Sequence, residues 1–218
     1  MGDILKEGLS FCGIDSGKIE ILSEKMEKYI NEIILFNSAY NLTNTSDREE
    51  LIIRHILDSL APFKIIRNLI DKTDKSFVIG DIGSGGGLPG IPLAAAFPEV
   101  NFVLVERMSK RCAFLENCAL ILGLQNVTVL NKEAEKAGTE VFDLITFRAF
   151  RPLDQDITKT LLKITKTDGF LLAYKAKIEN IKEEMEGIKN LVPEYKVEKL
   201  EVPGLEDSQR NLVIIPKK

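Results

Sequence analysis

The chain contains 218 residues, of which 44% are hydrophobic and 28% are charged, and its formal net charge is −4. This length is sufficient for one α/β domain with an added segment, and the composition is typical of a globular protein with a sizeable core. The negative net charge excludes a general attraction to nucleic acid, so any contact with RNA requires a local basic surface.

No run of apolar residues is long enough to span a bilayer, and the first residues, Met1-Gly2-Asp3-Ile4-Leu5-Lys6, lack the pattern of a signal peptide. The three cysteines, Cys12, Cys112 and Cys118, do not have the spacing of metal ligands. We therefore expect a cytoplasmic protein with free thiols, without a membrane partner and without a metal.

The first part of the chain is predicted to be helical. Apolar residues recur at helical spacing over residues 18–38, and asparagines and threonines then interrupt the pattern over residues 37–45. Ser46-Asp47-Arg48-Glu49 matches a capping box with Ser46 as the cap, and predicts that a second helix begins there. These features predict an N-terminal helical extension over residues 1–75, followed by a second domain over residues 76–218.

From residue 77 the pattern changes to alternating strands and helices. Seven strands are predicted, over residues 77–80, 101–106, 127–130, 142–147, 169–175, 195–200 and 211–215. Such alternation requires a mostly parallel sheet with helices on both faces, and the short Pro203-Gly204 loop predicts that the last two strands form an antiparallel hairpin. The predicted fold is α/β and Rossmann-like, with a ligand at the carboxyl ends of the strands.

A glycine-rich turn follows the first strand, where residues 81–90 are Asp-Ile-Gly-Ser-Gly-Gly-Gly-Leu-Pro-Gly. Glycines permit positive φ and let a ligand approach the main chain, and the helix that Pro89 opens offers free N–H groups. A carboxylate at Asp81 repels a pyrophosphate but attracts a cationic ligand. S-adenosylmethionine carries an ammonium and a sulfonium and no phosphate, which favours a methyltransferase.

Gly85-x-Gly87-x-x-Gly90 also satisfies the dinucleotide fingerprint of a dehydrogenase. Asp81 is misplaced for a dinucleotide, because its carboxylate would repel the pyrophosphate. We also see no separate substrate domain of the kind that dehydrogenases usually carry.

Two further positions have the spacing that a nucleoside requires. Glu106 ends the second strand about twenty residues beyond the turn, where a carboxylate can accept hydrogen bonds from both ribose hydroxyls. Residues 133–135 follow the third strand, where the adenine is expected. The glycines of the turn, Gly83 and Gly85 among them, are expected to pack against the methionine moiety.

Four segments carry a resemblance to a known family. They are Tyr40-Asn41-Leu42-Thr43, Arg54-His55-Ile56-Leu57-Asp58-Ser59-Leu60, Leu88-Pro89-Gly90-Ile91-Pro92-Leu93-Ala94 and Arg148-Ala149-Phe150. With these segments in this order, the chain from about residue 30 to Arg210-Asn211-Leu212 resembles the glucose-inhibited division protein B family, which methylates guanine N7 in small-subunit (16S) ribosomal RNA.

The resemblance implies a class I S-adenosylmethionine-dependent methyltransferase fold. It also implies that the cofactor is contacted by Gly83, Leu88, Ala134, Glu135 and Arg148. The chain departs from the family pattern at Asn44-Thr45, where a small apolar pair is more usual, and at Met108-Ser109.

Guanine N7 carries an unprotonated lone pair at neutral pH, so its methylation requires no general base. The chain has one histidine, His55, and no Cys–His or Ser–His pair emerges from the sequence. A cytosine-C5 enzyme requires a cysteine nucleophile on a motif loop, and none is evident. We therefore predict no catalytic residue, because holding N7 in line with the methyl–sulfur bond in a dry site is sufficient.

The predicted RNA contacts gather at the ligand edge of the sheet. Arg148 and Arg151 flank Phe150, so arginines can pair with a phosphate or with the acceptor edge of guanine while the ring stacks on a base. The alternative is that Phe150 belongs to the core and Arg151 is a solvated charge. The full set of predicted RNA contacts is Arg148, Phe150, Arg151, Lys110, Arg111, Lys175, Asn41 and His55.

Three members of this set depend on interpretation. Lys110 and Arg111 open a helix, an unfavourable place for cations, which is compatible with phosphate contacts. His55 has more often a structural role than a catalytic one, and it lies on adjacent helical turns with Arg54 and Asp58. Our hypothesis is that Asn41 and this trio fold the helical extension over the cofactor pocket.

The leading hypothesis is thus an enzyme that methylates 16S ribosomal RNA, either free or in the small ribosomal subunit. The alternatives are a small-molecule methyltransferase that shares only the cofactor domain, and a module that binds S-adenosylmethionine without turnover. The helical extension and the arginines at 148 and 151 favour RNA, because a small substrate requires an apolar lid instead.

Overall fold

The computed structural model describes residues 3–71 and 76–218. Helices come first along the chain: α1 (Ile4–Cys12), α2 (Ser16–Tyr40), α3 (Arg48–Leu51), α4 (Asp58–Leu60) and α5 (Phe63–Ile70), with a π-helical turn (Ile52–Leu57) that joins α3 to α4. The strands are β1 (Val78–Ile82), β2 (Asn101–Glu106), β3 (Val127–Asn131), β4 (Phe142–Arg148), β5 (Thr165–Lys175), β6 (Lys196–Lys199) and β7 (Asn211–Pro216). Between them lie α6 (Gly90–Ala96), α7 (Ser109–Ile121), a 3-10 turn (Ala134–Lys136), α8 (Gln155–Ile164) and α9 (Ile178–Gly187).

The seven strands form one sheet in the order β3-β2-β1-β4-β5-β7-β6. The first five pair in parallel, and β7 is antiparallel to both β5 and β6. This confirms the predicted mostly parallel sheet with a C-terminal antiparallel hairpin. The chain order reverses between β1 and β4, so the carboxyl ends of these two strands flank the crevice in which ligands of such sheets bind.

The helical extension packs on one face of the sheet and shares its core. Tyr29, Ile30 and Ile33 of α2 are fully buried and belong to the same apolar cluster as Ile91 and Leu104. Burying an isoleucine side chain stabilises by about 1.5–3 kcal/mol, so this face of α2 fixes the extension against the sheet. The predicted boundary between residues 75 and 76 adjoins residues 72–75, which lie outside the described residues.

The N-cap of α3 and the start of β5 differ from the sequence-based predictions. The cap of α3 is Asp47, whose carboxylate accepts a hydrogen bond from Glu50 N at 2.9 Å, whereas Ser46 Oγ accepts one from Asn37 Nδ2 at 3.0 Å. The prediction of Ser46 as the cap was therefore wrong. Strand β5 begins at Thr165 and not at residue 169, because its first residue pairs with Phe142 ahead of an irregularity in the ladder.

No helix within residues 3–71 and 76–218 is both long enough and apolar enough to cross a membrane. In the same ranges, no three His, Cys, Asp or Glu side chains come together in a way that could hold a metal ion.

Candidate active site

The glycine turn after β1 lies at the point where the strand order reverses. The N–H groups of Gly83 and Ser84 donate to the Val105 carbonyl of β2, at 2.8 and 3.2 Å. The hydroxyl of Tyr29 in α2 donates to the carbonyl of Gly86. Gly83 has a φ of 70°, and a Cβ there would lie 2.1 Å from Phe150 Cδ2. Only glycine fits this position, because both the backbone and the close aromatic ring exclude a side chain.

Asp81 lies behind the turn and organises it. Its carboxylate accepts hydrogen bonds from Gly90 N at 3.1 Å and from Thr146 Oγ1 at 3.3 Å, and its side chain is buried. Burial raises the pKa of Asp81 to about 6, although the hydrogen bond from the Gly90 backbone acts in the opposite direction. Asp81 lines neither of the two cavities described below, so direct contact with the cofactor remains a prediction.

Glu106 is held at the end of β2 by two main-chain donors. Gly85 N donates to Oε2 at 2.9 Å and Met108 N donates to Oε1 at 2.8 Å. The side chain is buried, yet it lines a cavity of about 510 Å³ together with Ala134 and Glu135. A carboxylate has about four lone-pair sites, so the two that remain can accept hydrogen bonds from ribose hydroxyls.

A larger cavity of about 750 Å³ adjoins the first and also has Phe150 in its lining. It is lined by the glycine turn, by residues 42–44 of the extension, and by side chains at the ends of β4 and β5. Both volumes are in the range of small-molecule sites. Residues that line both cavities are Gly83, Arg111, Ala149, Phe150 and Arg151.

Phe150 thus contributes to the walls of both cavities. Ala149 has a φ of 50°, a conformation that residues with a Cβ rarely adopt, and this bend after β4 lays the Phe150 ring against Gly83. The guanidinium carbon of Arg151 lies 5.4 Å from the ring centroid, and its Nη2 lies 3.2 Å from Glu135 Oε1. Phe150 also packs against the apolar cluster on the α8 and α9 face of the sheet. The alternative prediction, that Phe150 belongs to the core, is therefore only partly correct, because the ring also lines the cavities.

Arg148 connects the sheet to the extension. Its Nη1 donates to Asp58 Oδ2 at 2.7 Å and to the Arg54 carbonyl at 3.2 Å, and its Nη2 lies 3.1 Å from His55 Nδ1. Arg210 Nε donates to the other oxygen of Asp58 at 3.0 Å. The π-helical turn carries His55 and Arg54, and such turns are frequent at functional sites.

His55 is neutral in this environment. Burial, together with the charges of Arg148 and Arg54, lowers its pKa to about 4. Since Arg148 is a donor, His55 Nδ1 accepts, and the proton resides on Nε2, which is buried and has no hydrogen-bond partner in the described residues. His55 and Asp58 each contact Arg148, and no hydrogen bond joins the two directly in the described residues.

The remaining predicted RNA contacts fall in different places. Lys175 lines the larger cavity and pairs with Glu184 at 2.6 Å. Arg111 Nη2 donates to the Asn41 carbonyl at 3.1 Å. Lys110 is exposed, and neither it nor Asn41 lines a described cavity.

The structure also brings residues to the larger cavity that the sequence predictions missed. Arg210 and Asn211 lie at the start of β7, and Tyr174 and Glu184 also line the cavity. Arg210 and Asn211 could have been predicted from the sequence, because the amino end of an antiparallel strand lies beside the carboxyl ends of its parallel neighbours. No sequence pattern points to Glu184, because nothing in its helix indicates a functional role.

Comparisons with known proteins give consistent results. The sequence model of the family described as "rRNA small subunit methyltransferase G" matches residues 22–213. A relative named ribosomal RNA small subunit methyltransferase G from Treponema denticola is 41% identical over 98% of this chain and 94% of its own length. One of the same name from Neisseria meningitidis serogroup B is 33% identical over 98% and 97%, respectively.

Solved structures resemble the fold at low sequence identity. A SAM-dependent O-methyltransferase from Thermotoga maritima superposes with a TM-score of 0.56 and 14% identity, covering 87% of this chain and 71% of that one. A SAM-dependent methyltransferase from Aquifex aeolicus gives 0.55 and 16%, covering 78% and 93%. These similarities show that the sheet and its helices have the class I methyltransferase arrangement.

Proposed function

The chain belongs to the rRNA small subunit methyltransferase G family, and we propose that it transfers a methyl group from S-adenosylmethionine to N7 of a guanine in 16S ribosomal RNA. The observation that carries this proposal is that Phe150 lines two adjoining cavities. The smaller one has the carboxylate that a ribose requires, and the larger one is lined by Arg148, Arg151, Lys175 and Arg210. A nucleoside cofactor and a base from RNA can thus meet at one aromatic ring.

The smaller cavity and the turn suit the cofactor. Glu106 is fixed by two backbone donors and faces the cavity, where it would hold the ribose hydroxyls. Ala134 and Glu135 would border the adenine, and Gly83 and Gly85 would pack against the methionine chain. When bound, S-adenosylmethionine supplies a methyl group whose bond to sulfur breaks, with its electron pair left on sulfur, as the N7 lone pair forms the new bond.

The side chains around the larger cavity suit a nucleophile that has no proton to lose. His55, with its pKa lowered to about 4, is too weak a base to deprotonate an N–H of guanine. The carboxylates of Asp58 and Glu184 both accept hydrogen bonds from cations. Burial raises the pKa of all three cysteines, that of Cys12 to about 12, which opposes a thiolate mechanism.

The task of these residues is therefore positioning. Phe150 can stack on the target base, and a bidentate arginine can bind guanine O6 or a neighbouring phosphate. Of the five cations that line the cavity, Arg148, Arg151, Lys175 and Arg210 are opposed by only two lining carboxylates, Asp58 and Glu184. This excess of positive charge provides the local basic surface that a chain with a net charge of −4 requires. Correct orientation of N7 towards the methyl group supplies much of the rate enhancement in such a reaction.

We further propose that residues 1–75 form a helical extension that closes this site, and that the protein acts in the cytoplasm, where ribosomal subunits are assembled. Residues 42–44 line the larger cavity, and Asp58 lies against Arg148, so that the extension contributes directly to the walls. Attack by N7 needs neither a metal nor a membrane partner.

Transfer of labelled methyl groups tests the proposal. The substrates are ribosomal RNA and small subunits from a strain that lacks this protein, with a mixture of small methyl acceptors as the alternative. We expect label in 16S RNA only, and a loss of transfer in a folded Glu106→Gln variant. Labelling of small molecules without RNA would support the small-molecule alternative. Cofactor binding without any transfer would support a binding module.

A further inference from the structure

Arg111 lies over the glycine turn, although its neighbour Lys110 lies outside the cavities. It belongs to the first turn of α7 and lines both cavities. Its Nη1 is 3.9 Å from the point where a Cβ on Gly85 would be. Its Nη2 donates to the Asn41 carbonyl at 3.1 Å, so the guanidinium is held between the extension and the turn.

This cation differs from the others around the larger cavity. Five cations line that cavity, and four of them have a carboxylate partner: Arg148 and Arg210 share Asp58, Arg151 has Glu135, and Lys175 has Glu184. Arg111 has no carboxylate within 4.0 Å in the part of the chain that the structure describes. Its Nε is buried and also lacks an acceptor among those residues.

Two energetic penalties are thus left uncompensated at this side chain. A cation in the first turn of a helix is opposed by the helix dipole. A buried donor without an acceptor costs about 1–3 kcal/mol. An anion bound to Nη1 would offset the unfavourable interaction with the helix dipole, and its place would be inside the cavity, beside the turn.

We infer that Arg111 binds the α-carboxylate of S-adenosylmethionine. The alternative is the sequence-based prediction of an RNA phosphate contact. The phosphates of a folded RNA approach from the outer surface, whereas Arg111 is half-buried beneath Asn41 and directed at the turn that receives the methionine moiety. Lys110, which is exposed, suits a phosphate better. This inference rests on the proposed use of S-adenosylmethionine.

Calorimetric titration of the full chain with two ligands tests the inference. One ligand is S-adenosylmethionine, and the other is its decarboxylated analogue, which keeps the sulfonium, the amine and the adenosine. We expect the wild-type protein to bind the analogue about 10- to 100-fold more weakly, as is typical of the loss of a charged hydrogen-bonded partner. In Arg111→Met, the affinity for S-adenosylmethionine should fall by that factor and the affinity for the analogue should stay unchanged.

Three further measurements separate the outcomes. Lys110→Met is the matched control and should leave the affinities for both ligands at wild-type values. Arg111→Lys keeps the positive charge but loses the forked guanidinium, and its preference for S-adenosylmethionine over the analogue should be intermediate. This variant provides the test if Arg111→Met does not fold. Filter binding of ribosomal RNA to Arg111→Met should match the wild type.

Equal losses for both ligands, or no loss for either, would overturn the assignment. Weakened RNA binding with normal cofactor affinity would restore the phosphate interpretation. Failure of the wild-type protein to bind S-adenosylmethionine at all would instead contradict the proposed function.

Discussion

Asp58 Oδ2 accepts a hydrogen bond from Arg148 Nη1 at 2.7 Å, although the two residues are 90 positions apart in the chain. The contact joins the helical extension to the end of β4, and Arg210 adds a third element through the other carboxylate oxygen. Because the carboxylate is buried between two arginines, it sets the position of both at the wall of the larger cavity.

Replacing Asp58 by Asn should therefore affect both stability and activity. The change leaves two partly buried arginines without a counter-charge, and we expect the free energy of unfolding to fall by about 2–4 kcal/mol in urea denaturation. The matched control is Glu50→Gln, which removes an exposed ion pair with Arg54 and should cost less than about 0.5 kcal/mol. Equal stability of the two variants would show that Asp58 does not hold this junction.

The buried carboxylate of Asp81 predicts a pH dependence. Its pKa of about 6 in the folded protein lies above its ordinary value of 3.8, so the folded state binds the proton more tightly than the unfolded state. The group therefore destabilises the fold at neutral pH, and this penalty is relieved as the pH falls from about 6 towards 3.8. Asp81→Asn should remove that dependence.

Denaturation of both proteins between pH 4 and pH 7.5 measures the effect. The stability of Asp81→Asn relative to the wild type should be greatest at pH 7.5 and should decrease by on the order of 2 kcal/mol towards pH 4. A difference that stays constant with pH would mean that Asp81 titrates near its ordinary pKa.

Phe150 provides a test of base stacking. Phe150→Ala should lower kcat/KM for ribosomal RNA about 10- to 100-fold, because stacking on an aromatic side chain contributes roughly 1–3 kcal/mol per base. Phe150→Tyr retains the ring and should keep most of the activity, and steady-state kinetics compares the three proteins. If Phe150→Tyr is impaired as severely as Phe150→Ala, the ring has a role other than stacking.

Arg151 is exposed enough to meet a phosphate, and its partner Glu135 is exposed as well. In RNA binding measured over a range of salt concentrations, Arg151→Gln should reduce the slope of log affinity against log salt by about 0.7–0.9. Lys163→Gln, an equal change of charge on the exposed surface of α8, lines neither cavity and should leave the slope unaltered. Identical slopes for all three proteins would exclude a phosphate contact at Arg151.

The strands and the glycine turn were accessible from the sequence because each depends on local patterns. β1, β2 and β4 are short apolar runs bounded by turns, and the parallel arrangement follows from the helices between them. The start of β5 was not accessible, because Thr165 joins the sheet by pairing with Phe142 rather than through an apolar pattern. The π-helical turn was likewise hidden, since its apolar spacing resembles that of an α-helix.

The candidate site likewise contains residues that could be predicted from the sequence and residues that could not. Glu106 and the turn were predicted from their spacing in consecutive elements, whereas the partners of the arginines were not. Arg210 and Asp58 are 152 positions apart and meet only after the sheet and the extension have packed together. Lys110 and Arg111 were likewise predicted to have the same role, and they are distinguished by exposure and by the contact of Arg111 with the Asn41 carbonyl.

Our proposal that this enzyme methylates N7 of a guanine in 16S ribosomal RNA can be tested directly. The most direct measurement is mass spectrometry of nucleosides from 16S RNA after reaction with the purified enzyme and S-adenosylmethionine, using subunits from a strain that lacks the protein. We expect 7-methylguanosine at one position, absent without enzyme. Methylation of another base, or of another guanine atom, would contradict the proposal.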